Sequence, residues 1–102
     1  MEPRQSAKAA AESIADAECD REQRCGNIGQ GRSFLTSNHC IQAKFQPISH
    51  ELSDPDCSRN GVGNSDLNQC LEEIHGRNCG NVMTAGFWEE MMKCGSGDLC
   101  LE

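Results

Sequence analysis

The chain has 102 residues, 36% of them hydrophobic, with three Phe, one Trp and no Tyr, which fits one domain with a thin core. Its formal net charge of -7 leaves no basic face to displace counterions, which excludes a nucleic-acid binder and a direct partner in an anionic membrane surface. No run approaches the roughly 18 apolar residues of a membrane span. Residues 1–5 are polar with Pro3 and read as a flexible tether ahead of a single helical domain at 6–100. The first helix is expected from Ser6, a side chain suited to an N-cap, to Cys25, with Gly26 as its left-handed cap. Ala7, Ala11, Ile14 and Cys25 lie near one stripe of it and Ala15 and Cys19 on a neighbouring one. So many alanines imply a close helix-helix approach.

The loop from Gly26 to Gly31, G-N-I-G-Q-G, follows a helix and not a strand, so it reads as a tight connector permitting positive φ and not as a phosphate cradle. A second helix is expected from Thr36 or Ser37 to just before Pro47, with Leu35 stapled onto Cys40 and with Ile41 and Phe45 facing the core. A polar linker follows from Pro47 to Asn64, pinned in its middle by Cys57. The third helix, from Ser65 or Asp66 to His75, has the clearest periodicity. Leu67, Cys70, Leu71 and Ile74 form one stripe, Asn68, Gln69, Glu72 and Glu73 fill the outer face, and Gly76 stops it. A fourth helix is expected from about Thr84 to Lys93, after which Gly95 ends it and Cys100 clips the tail back. No segment alternates with the period of a strand, so the expected fold is an all-α, disulfide-stapled bundle of four short helices.

Eight cysteines in a chain of this length, an even number, read as four disulfides in an oxidising compartment: Cys19, Cys25, Cys40, Cys57, Cys70, Cys79, Cys94 and Cys100. Each bridge contributes roughly 2 to 4 kcal/mol, which a thin core needs. The gaps between successive cysteines are 5, 14, 16, 12, 8, 14 and 5 residues, with no C-x-x-C, so neither a zinc knuckle nor a thioredoxin-like pair is present. These gaps read nearly the same in both directions, which is not the pattern of a repeat. His39, His50 and His75 are scattered and read as surface residues. On one helix Cys19 and Cys25 have α-carbons roughly 9 Å apart, beyond the roughly 7 Å limit for a bridge. Their sulfurs point roughly 120° apart, so the first helix is held from two sides. The pairing expected is Cys25 with Cys40, and Cys19 with the second half of the chain.

Three groups of residues invite a functional reading. In the stretch Asp56 to Asp66, D-C-S-R-N-G-V-G-N-S-D, the residues Asp56, Ser58, Asn60, Gly61 and Asn64 sit at positions 1, 3, 5, 6 and 9 of a calcium loop. Leu67 stands where the bidentate Glu belongs, with Asp66 one place short, so a polar turn ending in a helix cap is the better account. Glu72, Glu73 and His75, near Arg77, carry acid-base groups on an outward helix arc, as do Glu89 and Glu90, whereas a general base needs a pocket. Phe87, Trp88, Met91 and Met92 form a concentrated apolar patch. Core packing explains it first, and an adaptable binding surface if part is exposed.

The order A-x-C-D-R-x-x-x-C-G-x-I-G-x-G at Ala17 to Gly31, then Phe34, Cys40, Cys57, C-L-x-x-I at Cys70 to Ile74, Cys79-x-Asn81 and Lys93-Cys94 to Cys100, resembles a family of small bacterial lipoproteins. Those proteins are uncharacterised and associated with natural-product biosynthesis gene clusters. The resemblance covers nearly the whole folded part, and Arg32 and Phe34 match its basic and aromatic positions. It implies an exported, lipid-anchored domain and supplies no catalytic residue. Plant lipid-transfer proteins share the design of four helices and eight cysteines around an apolar tunnel, but their adjacent cysteine pair and C-x-C are missing here.

The expected function is therefore a non-catalytic binding module at the bacterial cell envelope, with no cofactor, whose partner is a protein or a small hydrophobic metabolite. A tunnel lined by Ile14, Phe45, Leu71 and Met91 would favour the metabolite. A calcium-stabilised module and a small enzyme are the alternatives. Because disulfides require export and no leader is present, Met1 reads as an added start, and Leu101-Glu102 as a remnant ahead of a purification tag.

Overall fold

The computed structural model describes residues 4–53, 55–76 and 99–101. Their elements run β1 (Arg4–Gln5), α1 (Ala7–Arg24), α2 (Ser37–Glu51), α3 (Pro55–Asn60), β2 (Val62–Gly63) and α4 (Asn64–His75). Helices dominate, as the residue pattern requires, but a small strand pair accompanies them. The helix expected at Thr84 to Lys93, with Phe87, Trp88, Met91 and Met92, lies outside the described residues.

α1 starts where Ser6, in an extended conformation, accepts the Ala9 amide on its Oγ at 3.1 Å. It ends at Cys25, and Gly26 at φ 77° turns the chain so that the Asn27 amide reaches back to the Glu22 carbonyl at 2.9 Å. Ala10, Ala11, Ala15 and Ala17 are all buried. Small side chains let α2 and α4 pack closely against α1, so the core is assembled around its alanine face. Ile14, Ile48, Leu52, Val62, Leu67, Ile74 and Leu99 supply the larger buried side chains. Phe45, Ile41 and Leu71 are half-buried and packed against them.

α2 corrects the boundary expected at Pro47. Thr36 caps it, accepting the His39 amide at 3.1 Å, but the helix continues through Pro47 to Glu51. A proline inside a helix removes one backbone donor and crowds the preceding turn, at a cost of about 3 kcal/mol. Burial of Ile48 and Leu52 beyond it offsets that cost. The expected staple from Leu35 does not form. Leu35 is 63% exposed while Cys40 is fully buried, because Cys40 is already held covalently by α1.

The linker expected between Pro47 and Asn64 is likewise more ordered than its composition suggested. After α2, Pro55 opens α3, as suits a residue without an amide hydrogen at a first helical turn. Arg4 and Gln5, read as part of a tether, pair antiparallel with Gly63 and Val62. Val62 also bridges to Cys100 on its other side. Gly61 makes this crossing possible: at φ 80° it lies so close to β1 that a β-carbon there would meet the Gln5 carbonyl oxygen at 2.7 Å. Two-residue strands carry no alternation, which is why the sequence pattern did not reveal them.

α4 matches its expected stripe, with Leu67, Cys70 and Ile74 buried and Leu71 half-buried. The disulfides correct the expected pairing. Cys19 joins Cys40, with α-carbons 5.9 Å apart, and so ties α1 to α2 within the first half of the chain. Cys57 joins Cys100, 4.5 Å between α-carbons, and clips the tail to α3 as expected of Cys100. Cys25 and Cys70 are disulfide-bonded as well, and Cys25 is not the partner of Cys40. Cys19 and Cys40 are the pair because both face the α1–α2 contact and are almost wholly buried there.

Candidate functional site

Two features of the described residues concentrate chemistry. The first is a buried charged cluster on the C-terminal half of α1. Glu18, Arg21 and Glu22 are 5%, 5% and 8% exposed, at positions one turn apart that continue the stripe of Ala11 and Ile14. Arg21 Nη1 stands 3.5 Å from Glu22 Oε1, and Asn27 Nδ2 donates to Glu22 Oε2 at 2.9 Å. Glu22 therefore anchors the glycine-rich loop to α1. Within that loop the Phe34 amide donates to the Asn27 carbonyl and the Gly29 amide to the Phe34 carbonyl, at 3.1 and 2.8 Å. His39 meets the Phe34 ring edge-on at 6.0 Å, and Lys44 Nζ lies 5.7 Å from the centre of that ring.

Glu18 differs from its neighbours, since both carboxyl oxygens are buried without a hydrogen-bond partner. Burial pushes its pKa up from the usual 4.5 to about 7; Lys44 on α2 pulls it down, Glu22 pushes it up, and Arg21 pulls it down. The group thus exchanges its proton near neutral pH, immediately beside the Cys19–Cys40 bridge. A signal for it existed in the sequence: a carboxylate at the position that continues an otherwise apolar stripe.

The second feature is an open cleft of about 510 Å³ at the other end of α1, between residues 4–7 and 57–61. Arg4 and Arg59 both line it, with Ser6, Ser58 and Asn60, and none of the lining residues is acidic. Arg4 Nη1 donates to the Asn60 carbonyl at 3.2 Å. Asn60 Nδ2 in turn donates to the Leu101 carbonyl at 3.0 Å, and the Leu101 amide donates to the Gly61 carbonyl at the same distance.

The residues singled out from sequence fall as follows. Asp56, Ser58 and Asn60 lie on α3, where alternate residues point to opposite sides, instead of on the extended loop that wraps a calcium ion. Asn60 spends its amide on Leu101, while Asn64 and Asp66 open α4. No group of three or more acidic, His or Cys side chains with metal-binding proximity occurs among the described residues. Glu72 and His75 are exposed and Glu73 is half-buried; His39 and His50 are exposed too. Arg77, Glu89 and Glu90 lie outside the described residues. Of the expected tunnel residues, Ile14 is in the core with Phe45 and Leu71 packed against it, and Met91 is outside the described residues.

The disulfides place the chain in an oxidising environment, and no helix among the described residues is long and apolar enough to cross a membrane. The fold defines a class, a small disulfide-stapled helical domain. The chain belongs to DUF6184, a family of unknown function whose model matches residues 19–102. No curated protein and no solved structure matches it.

Proposed function

We propose that this domain is a non-catalytic, exported binding module of the bacterial cell envelope, lipid-anchored and stapled by four disulfides. Its resemblance to lipoproteins encoded beside natural-product biosynthesis genes associates it with that setting. The observation that supports this reading is that alanines fill the buried face of α1 while covalent bridges tie α1 to α2 and α3 to the tail. Such construction suits a chain that must hold its shape outside the reducing cytoplasm. Partners of this reading are a protein or a small hydrophobic metabolite. The calcium-stabilised module and the small enzyme remain the alternatives, and no specific observation favours either.

Native mass spectrometry of the unreduced protein, with and without calcium, tests it. Four bridges with a stoichiometric apolar adduct support a metabolite carrier, and four bridges without an adduct direct the search to protein partners. Free thiols with bound metal would overturn the reading.

A further inference from the structure

The cleft between residues 4–7 and 57–61 is lined by positive charge. In a protein of net charge -7, its lining holds Arg4 and Arg59 and no carboxylate. Both arginines line one concavity, and Asp56, one turn before Arg59 on α3, is not part of that lining. The Arg4 guanidinium is held in place by the Asn60 carbonyl through one of its five donors, which leaves the others for a ligand. Ser6 uses its oxygen to accept the Ala9 amide, so its hydroxyl hydrogen is still available to donate.

The walls are also built before any ligand arrives. β1 and β2 pair across the crossing, Gly61 is packed against the Gln5 carbonyl, and Cys57, a lining residue on α3, is bridged to Cys100. The volume, about 510 Å³, suits a small molecule and not a protein loop. The first turn of α1 contains no acidic residue, and its amides add positive potential on the same side.

The geometry points to an oxyanion-binding site: Arg4 and Arg59 clamp a carboxylate or phosphate group of a small ligand, with Ser6 as a further donor. Guanidinium groups match both oxyanions as paired donors, so the shared chemistry is an anionic headgroup with two or more oxygens. This assignment rests on the binding-module reading and names the polar end of what such a module would hold.

Amide-resolved NMR titration of the full chain with inorganic phosphate, and separately with acetate, against chloride at matched ionic strength, tests it. Saturable shifts confined to Ser6, Ala7, Arg59 and Gly61 are expected, and the anion that saturates at the lower concentration identifies the headgroup class. R4Q and R59Q should each weaken binding roughly tenfold. Because Arg4 also pins the crossing, R59Q at an exposed position is the decisive variant. Linear, unsaturated shifts with both anions, or shifts that R59Q leaves unchanged, would overturn the site. An apolar adduct that persists in the R4Q/R59Q double variant would remove this site and leave the binding module standing.

Discussion

Asn60 donates through Nδ2 to the Leu101 carbonyl at 3.0 Å, two residues before the β2 strand and one residue after the cysteine that closes the fold. The tail is thus held by a side chain, a backbone bond to Gly61 and the Cys57–Cys100 bridge together. In the chain-entropy account a bridge spanning 43 residues contributes about 4 kcal/mol and one spanning 21 about 3 kcal/mol. C57A/C100A should therefore lower the unfolding free energy more than C19A/C40A. Denaturant titration without reductant measures both, and the reverse order would show that the α1–α2 bridge carries more than loop closure.

Glu18 makes stability depend on pH in an unusual direction. Its folded pKa of about 7 lies above the ordinary 4.5, so the folded chain retains a proton that the unfolded chain has lost. The stability this contributes is complete below about pH 4.5 and is lost as the pH rises through 7, about 3 kcal/mol in all. E18Q, which keeps the shape of the protonated acid, should flatten that part of the curve. A stability profile unchanged by E18Q would contradict the burial seen for both oxygens.

Pro47 is exposed inside α2, where it supplies no amide for the helix ladder. P47A should raise the melting temperature, with a gain of about 1 to 2 kcal/mol once the greater freedom of the unfolded alanine chain is subtracted. Calorimetry decides it. A loss would mean that the proline ring sets a bend the α1–α2 contact requires.

Gly26 and Gly61 share nearly the same backbone, at φ 77° and 80°, in different surroundings. A β-carbon at Gly26 meets nothing within 4 Å, whereas at Gly61 it meets the Gln5 carbonyl oxygen at 2.7 Å. G26A should cost about 1 kcal/mol from backbone strain alone, and G61A clearly more because β1 must move. G61A should also speed hydrogen exchange of the β1 and β2 amides, an effect G26A lacks.

How much of this was legible depends on the range of the signal. α4 could be read because Leu67, Cys70, Leu71 and Ile74 repeat with the helical period, and α1 because Ser6 and Gly26 mark its ends. The passage of α2 through Pro47 was not, since the burial of Ile48 and Leu52 that outweighs the proline is a tertiary term. α3 lay hidden in a stretch of turn residues, and β1 pairs with β2 across more than fifty positions with no pattern of its own. Disulfide pairing is equally nonlocal: spacing excluded Cys19–Cys25 but could not choose Cys40 for Cys19. Of the candidate site, the Asp56 to Asp66 stretch was visible as composition only, while the meeting of Arg4 with Arg59 required the strand crossing.

Val62 is flanked by Gln5 on one side and Cys100 on the other, so the first and last described segments lie roughly 10 Å apart. α1, with 18 residues, then carries the chain about 27 Å away to the glycine-rich loop. Among the described residues, the first and last segments therefore sit together at the N-terminal end of α1. The Asn27–Phe34 loop lies at the opposite end of α1 from that junction.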